Sequence, residues 1–439
     1  MYQKNDISNT KKRLIKEVNR MLLSYKTTVK ISADYENIIG HMCYAAYKLW
    51  NVCNYERKNY KDLSLPVGYP DWYYQKQAHK DDLWFKQLPS QTAQEVCKLL
   101  DKSWKSFYKL LETGGIEHPN PPKFKHENMV ITYMQNGMVH DKENGIVRLS
   151  LSKSLKEFMS KTYGINETYL YLENQLFKNV DTIKQIKLYP PEDGVCDIII
   201  IYEVDEPEIL PDNGRYLSID IGLHNLMTCY NSMTGTTFIV GRKYLSICHY
   251  YNKRIAEKQA EWAKIQYNNG IKYPKMSKHV RRLYKKRANV INDYLHKITR
   301  YIVNYCKENH IHTVVIGDIT NIRKENDLGA VTNQKLHALP YKRIYMQLEY
   351  KLKMSGINFV LQAEEYSSQT SPYSPKVSKK YACKENRVMR GLYRDKGAEW
   401  NADSVGAFNI LRLYFQKTKS EIKLNPDHLS HPYVVKVAV

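Results

Sequence analysis

A chain of 439 residues with 43% hydrophobic content carries enough apolar material for two or three folded domains, which excludes a disordered polymer. Lys+Arg 67 against Asp+Glu 45 leaves a net charge of +22. An excess of that size points to a polyanion, nucleic acid before a membrane surface, because neutralising phosphates releases counterions. Eight cysteines with no CxxC pair among them argue against a disulfide framework and a cysteine-built zinc site. The most apolar runs, such as 198–202, are too short to span a bilayer, and the basic start is no secretory leader. A cytoplasmic, reducing compartment without membrane contact is expected. The 37 tyrosines fit base stacking, but an AT-rich coding genome gives the same bias and is the preferred reading.

In chain order, a polar and basic segment comes first, with an apolar stripe (Leu14, Val18, Leu22) that suits a short helix. A strand is expected at Thr28–Ile31, then a helix from about Tyr35 to Tyr60, where Ile38, Met42, Ala45, Leu49 and Val52 recur at three and four residues. After a loop marked by Pro66, Gly68 and Pro70, Ser90 is the expected N-cap of another helix. Thr92, Val96, Leu99, Leu100, Trp104, Phe107 and Leu111 continue its apolar face, which makes Trp104 a core residue before a base-stacking one. His118–Lys125 breaks this pattern. Alternating segments at Met129–Met134, Ile146–Leu151, Ile183–Leu188 and Asp197–Glu203 then predict a β-rich module, and Glu206–Gly214 a linker.

From Tyr216 the order is hairpin, helix, strand, helix, strand, loop, helix, which predicts an α/β domain with a mixed sheet. The hairpin runs from Tyr216 through Asp220 and returns along Asn225–Cys229. Helices are expected at Ser246–Gln266, His279–Asn309 and Asn333–Ser355, and strands at Thr313–Ile316 and Asn358–Gln362. Asp220 lies on an otherwise apolar strand, where a carboxylate needs a cation or a hydrogen-bond partner. Other acids stand at the ends of neighbouring elements: Asp318, Glu364, Glu365 and Asp403. Two-metal phosphodiester hydrolysis requires carboxylates converging from separate elements on cations about 4 Å apart. Taken singly, Asp403 suits an N-cap, Asp318 a turn cap and Glu365 a solvated strand end. Taken together, they suit a metal site.

The segments SIDIGLHNL, VVIGDITNIR, NQKLHALPYKRIYMQLEYKLKMSGI, EEYSSQT and NADSVGAFNIL, in that order, resemble the TnpB family of transposon-associated RNA-guided DNA nucleases, relatives of the type V CRISPR effectors. The likeness covers roughly 205–415. It implies an α/β and α+β multidomain chain: an N-terminal segment over 1–29, a helical recognition module over 30–118 and a β-barrel-like wedge over 119–206. An RNase H-like RuvC domain over 207–415 and a tail over 416–439 follow. It also implies a guide RNA made from the element, double-stranded target DNA with a short flanking motif, one RNA per monomer, and Mg²⁺ (two ions, or Mn²⁺) as cofactor.

By the same resemblance Asp220 matches the first catalytic aspartate and Asp403 the last. The glutamate most relatives carry after the VVI strand is replaced by Gly317, followed by Asp318. A branch of the family with this glycine carries its glutamate on the neighbouring strand, so Glu364 is the expected middle acid, with Glu365 and Asp318 as fallbacks. Strands about 5 Å apart allow such an exchange. If none reaches, the chain is a cleavage-inactive RNA-guided DNA-binding protein acting as a repressor. A guide-free nuclease leaves the first 200 residues unexplained. The two CxxC pairs usual in the family read Ser371-Pro-Tyr-Ser374 and Cys383-Lys-Glu-Asn386, so 364–402 is expected to be a degenerate zinc-finger-like insert without zinc. The basic run Lys275, Lys278, Arg281, Arg282, Lys285, Lys286, Arg287 is the expected nucleic-acid grip, with Lys123 and Lys125 as secondary candidates and Lys102 and Lys105 beside Trp104 weaker still.

Overall fold

The computed structural model describes residues 19–114, 117–320, 338–389 and 391–438. The chain divides into two compact units, Met1–Glu206 and Pro207–Val439.

The first unit opens with strand β1 (Arg20–Lys30), followed by helices α1 (Ala33–Lys58), α2 (Trp72–Ala78), α3 (Leu83–Lys86) and α4 (Ser90–Thr113). Strands β2 (Ile131–Met134), β3 (Met138–Asp141) and β4 (Ile146–Ser150) come next, then α5 (Lys153–Tyr163), β5 (Tyr169–Glu173), α6 (Gln175–Asn179), β6 (Thr182–Leu188) and β7 (Val195–Asp205). Ser32 caps α1, its hydroxyl accepting from the Tyr35 amide. Ile38, Met42, Ala45 and Leu49 are buried as their spacing requires, and Trp104 joins them, its indole N–H donating to Asn54. Val52 of α1 and Leu99 and Leu111 of α4, expected on the apolar faces, are exposed. Three further expectations change. Leu22 lies in β1, which pairs with β7 over eleven residues, rather than in a helix; Leu14 and Val18 lie outside the described residues. Ser90 is the first residue of α4, whose cap position is Pro89 with no side-chain bond. Among the described residues the strands form two open sheets, ordered β1-β7-β6-β2 and β3-β4-β5, rather than a closed barrel.

The second unit is built on a six-stranded sheet. Its strands are β8 (Tyr216–Asp220), β9 (Met227–Asn231), β10 (Thr237–Val240), β11 (Thr313–Asp318), β12 (Asn358–Ala363) and, from the tail, β15 (Tyr433–Val434). The order is β12-β11-β8-β9-β10-β15, with β8, β11 and β12 parallel and β9 antiparallel to its neighbours. Between β10 and β11 run α7 (Tyr244–Asn268) and α8 (Lys278–Glu308), and α9 (Tyr341–Lys353) precedes β12. The start expected for α9 at Asn333 lies outside the described residues. The small hairpin of β13 (Leu392–Asp395) and β14 (Ala398–Asn401) leads into α10 (Ala402–Thr418).

The two faces of the sheet are sorted by the two-residue period of a strand. Leu217, Ile219, Val314 and Ile316 face α7, α8 and α9. Tyr216, Ser218 and Val315 face α10, and the Ser218 hydroxyl donates to the Ala407 carbonyl at 2.6 Å. Asp220 has the parity of Tyr216 and Ser218, so the alternation aims it at α10. Among the described residues no helix is long and apolar enough to cross a membrane.

Candidate active site

The site lies where β8, β11 and β12 end against the first turns of α10. In the parallel register Gly317 is paired with Gln362, so Glu364, two residues beyond Gln362, falls on the face that Gly317 shares with Val315. The Glu364 carboxylate lies directly over Gly317: a Cβ built at 317 would collide with Glu364 Oε2 and stand 2.9 Å from Ile410 Cδ1. A second glycine does the same for Asp220, since a Cβ at Gly406 on α10 would collide with Asp220 Oδ2. Two missing side chains thus make the room that two carboxylates fill.

Electrostatics tie the acids together. The Asp220 carboxyl is pushed well above the usual carboxylate range, by burial first and then by the charges of Glu364 and Asp403, with Arg387 opposing. Burial and then the Asp318 charge push Glu364 up to about 7. Glu364 as a residue is half-buried, but its Oε2 is fully buried and has no hydrogen-bond partner. An unpaired buried carboxylate oxygen is costly unless a cation joins it.

Asp403 is the second residue of α10 and does not cap it. Asn401 does, accepting from the amides of Asp403 and Ser404 at 3.1 Å each, which leaves the Asp403 carboxylate for other work. Its Oδ2 accepts from Asn225 Nδ2 at 2.8 Å and its Oδ1 stands 3.5 Å from Arg387 Nη2. Among the described residues no three His, Cys, Asp or Glu side chains are drawn together closely enough to hold a cation as they stand, with Asp403 turned toward Asn225 and Arg387. The donor set nevertheless suits a hard divalent cation: oxygen ligands only, mutual repulsion that a cation relieves, and one buried oxygen without a partner.

Of the fallback acids, Asp318 has the parity of the other face of β11 and its Oδ1 accepts from the Thr320 amide at 2.9 Å as a turn cap, while its charge still reaches Glu364; Glu365 is exposed. The buried Tyr345 hydroxyl pins this strand end, donating to the Gly317 carbonyl at 2.6 Å and accepting from the Ile319 amide at 3.0 Å. Asn225 and Arg387 were missed as site residues. Asn225 stands inside the SIDIGLHNL segment, whereas no local pattern around Arg387 announces its position.

In the 364–402 insert, the bridge between Thr370 and Ala382 and the bond from the Cys383 amide to the Gln369 carbonyl (2.9 Å) lay the two degenerate pairs side by side. Fully buried Tyr393 bonds the Gln369 carbonyl, and Trp400 packs against Tyr373 and Tyr393. Asn409 Nδ2 donates to the Ser367 and Thr370 carbonyls at 2.7 Å each, fastening the segment after Glu364 to the helix that carries Asp403.

Of the basic run, Lys275 precedes α8, its backbone held by Gln266 and Trp262. Lys278, Arg281, Arg282, Lys285 and Lys286 are exposed. Arg287 differs from them in exposure: it is half-buried on the face of Val280, Leu283 and Ile291, with Nε fully buried, because seven residues return it to the packed side. In the first unit, Lys123 and Lys125 are exposed on a segment whose backbone is bonded to Trp50 and Asn51 of α1.

A family model described as "Probable transposase" matches residues 199–323, and one described as "Cas12f1-like, TNB domain" matches residues 341–410. The "Putative RNA-guided DNA endonuclease InsQ" of Escherichia coli (strain K12) is 24% identical over 365 residues, 79% of this chain and 80% of its own. The Cas12f1 chain of a Cas12f1-sgRNA-target DNA complex superposes with a TM-score of 0.53 at 13% identity, over 86% of this chain and 81% of that one, a likeness of fold. The transposase model covers the strands that bear Asp220 and Gly317, and the TNB model the segment from α9 to Ile410, so the matches are consistent with the TnpB family that the sequence resembles.

Proposed function

We propose that this chain is an RNA-guided, metal-dependent DNA endonuclease of a transposon-type mobile element, cutting double-stranded DNA beside a short flanking motif. The observation that carries the reading is the Glu364 carboxylate seated over Gly317 beside Asp220, with Oε2 buried and unpartnered. A chain that only occupied DNA has no physical need for acids held at such electrostatic cost. The likeness to InsQ and to Cas12f1 supports a guide RNA and a DNA target. The +22 charge supports both.

In this reading Asp220, Glu364 and Asp403 would hold two Mg²⁺ or Mn²⁺ ions. Such ions, when bound, activate water and stabilise the leaving oxygen. Gly317 and Gly406 keep the space in which Glu364 and Asp220 lie. Tyr345 holds the backbone on both sides of that space. Asn225 orients Asp403 through its 2.8 Å bond, and Arg387 supplies positive charge at the rim, where a scissile phosphate enters. Helices of 30–118 and strands of 119–206 serve recognition, and the cations of α8 with Lys123 and Lys125 hold phosphates. One monomer acts with one guide RNA, which reads the target by base pairing.

The test is to copurify the chain with its RNA and incubate it with a matched target and Mg²⁺. Strand breaks that disappear in Glu364→Gln while binding persists support the reading. Tight binding without breaks in the unaltered chain overturns it in favour of a repressor.

A further inference from the structure

The first unit contains a cleft of about 530 Å³ that the proposed cutting site does not use. That volume is in the range of small-ligand sites. One wall is α1, contributing Asn37, His41 and Tyr44, and the opposite wall is α3, contributing Leu83 and Trp84, with Gln87 just after it. Phe158 of α5 closes it. The His41 ring stacks on Phe158 with centroids 4.4 Å apart and planes at 24°, and Tyr44 meets Trp84 edge-on at 5.5 Å. The stacked faces of His41 and Phe158 are spent on each other, and the partly exposed rings of Tyr44, Trp84 and Tyr163 line the open space. Much of that apolar surface remains in solvent, since Tyr44 is 36% and Tyr163 56% exposed.

Polar groups stand around these faces. Asn37 and Asn128 are exposed at the rim, and the Gln87 amide is engaged with His41 Nε2 at 3.1 Å, which holds the imidazole in its stacked orientation. Carboxamides offer a donor and an acceptor side by side, the pattern that pairs with the edge of a nucleobase. The one carboxylate at the rim, Glu36, accepts from the Gly194 amide at 3.0 Å. Lys48, one turn along α1, lies 5.2 Å from the Tyr44 ring and brings a cation to the side of the cleft.

We propose that this cleft holds an unstacked nucleobase of a single-stranded stretch of RNA or DNA. A base in a duplex is stacked on both faces and cannot enter a slot between two helices. An extruded base can, and aromatic walls give it back the stacking it has lost. The amides confer base preference and the chain's positive charge favours the attached phosphates. The proposal rests on the nucleic-acid reading above and adds to it a contact away from the cutting site.

The experiment irradiates the full chain with short single-stranded oligonucleotides carrying 5-iodouracil, one arm RNA and one DNA, and maps cross-links by mass spectrometry. Cross-links to Tyr44, Trp84, Phe158 or Tyr163 are expected, the more productive arm naming the nucleic acid. Tyr44→Ala and Asn128→Ala, both at exposed positions, are expected to weaken binding of that oligonucleotide by about 5-fold or more, the scale of one stacked base, with an unchanged melting temperature. Cross-links confined to other segments, such as α8, overturn the cleft and leave the nuclease reading standing. Cross-links nowhere, in either arm, overturn both.

Discussion

Glu364 occupies the volume that a side chain at position 317 would need, so the glycine of β11 and the glutamate beyond β12 are two halves of one feature. Gly317→Ala puts a methyl group into the Glu364 carboxylate and 2.9 Å from Ile410 Cδ1. Target cutting is expected to fall by about 10²-fold or more, the cost of misplacing a reacting group by about 1 Å, with guide and target binding retained in a filter assay. Full cutting by Gly317→Ala would show that Glu364 can leave its place without consequence. The double variant Gly317→Glu with Glu364→Ala returns a carboxylate to the same space from the other strand, and is expected to cut faster than Gly317→Ala.

Gly406 makes the same provision for Asp220. An alanine inside an α-helix is ordinarily worth about 1 kcal/mol more than glycine. Here the methyl meets Asp220 Oδ2, so Gly406→Ala is expected to lower stability by about 1–3 kcal/mol, the scale of overpacking, and to abolish cutting. Thermal melting in the absence of divalent cations checks the first, and a cleavage assay the second. A rise in melting temperature would mean that the space beside Asp220 is larger than described.

Replacing Asp220 by asparagine removes a buried carboxyl whose charged form is opposed by burial and by the charges of Glu364 and Asp403. Asp220→Asn is therefore expected to raise the metal-free melting temperature while eliminating cutting. The unaltered protein should be stabilised by Mg²⁺ or Mn²⁺, by ~2.7 kcal/mol when the free ion stands at a hundred times its dissociation constant. Asp220→Asn should respond much less to either ion. Equal stabilisation of both proteins would place the cation elsewhere.

The first unit carries a pH dependence of its own. Burial alone would lower the pKa of His79, but its bonds to Glu56 (3.2 Å) and Asp82 (2.6 Å) raise it to about 9. A histidine whose folded pKa exceeds its unfolded value of about 6.5 stabilises fully below pH 6.5, and the contribution fades as pH rises through about 9. At 1.36 kcal/mol per pKa unit the full shift corresponds to ~3.4 kcal/mol; solvent screening of the partly exposed ring lowers this, so urea unfolding should show the chain losing ~2–3 kcal/mol across that window. His79→Ala should flatten the loss. An unchanged slope in the variant would assign the dependence to other groups.

The strands and helices themselves were legible because each is a local pattern. Alternation marked β7, three-and-four spacing marked α1, and the apolar setting of Asp220 marked it as a residue in need of a partner. Where reading failed, a non-local partner decided. Leu22 went into a strand because β7 lies alongside it for eleven residues. Arg287 left the exposed cationic face because three turns of packing, not composition, set which side of α8 is buried.

The acids divide in the same way. Sequence alone could supply Asp220, Asp318, Glu364, Glu365 and Asp403 as candidates, since a carboxylate at a strand or helix end is visible one residue at a time. Which of them share a space is a matter of register: pairing Gly317 with Gln362 turns Glu364 toward α10 and Asp318 away, and a slip of one residue would exchange them. The cap at Asn401, the approach of Arg387 and the vacancy above Gly317 also join residues far apart in the chain. The sequence determined the supply of charge and the order of the elements, because those are local properties. Only the tertiary structure decided which charges meet, because strand register and the missing Cβ of a glycine act between segments that the sequence holds tens of residues apart.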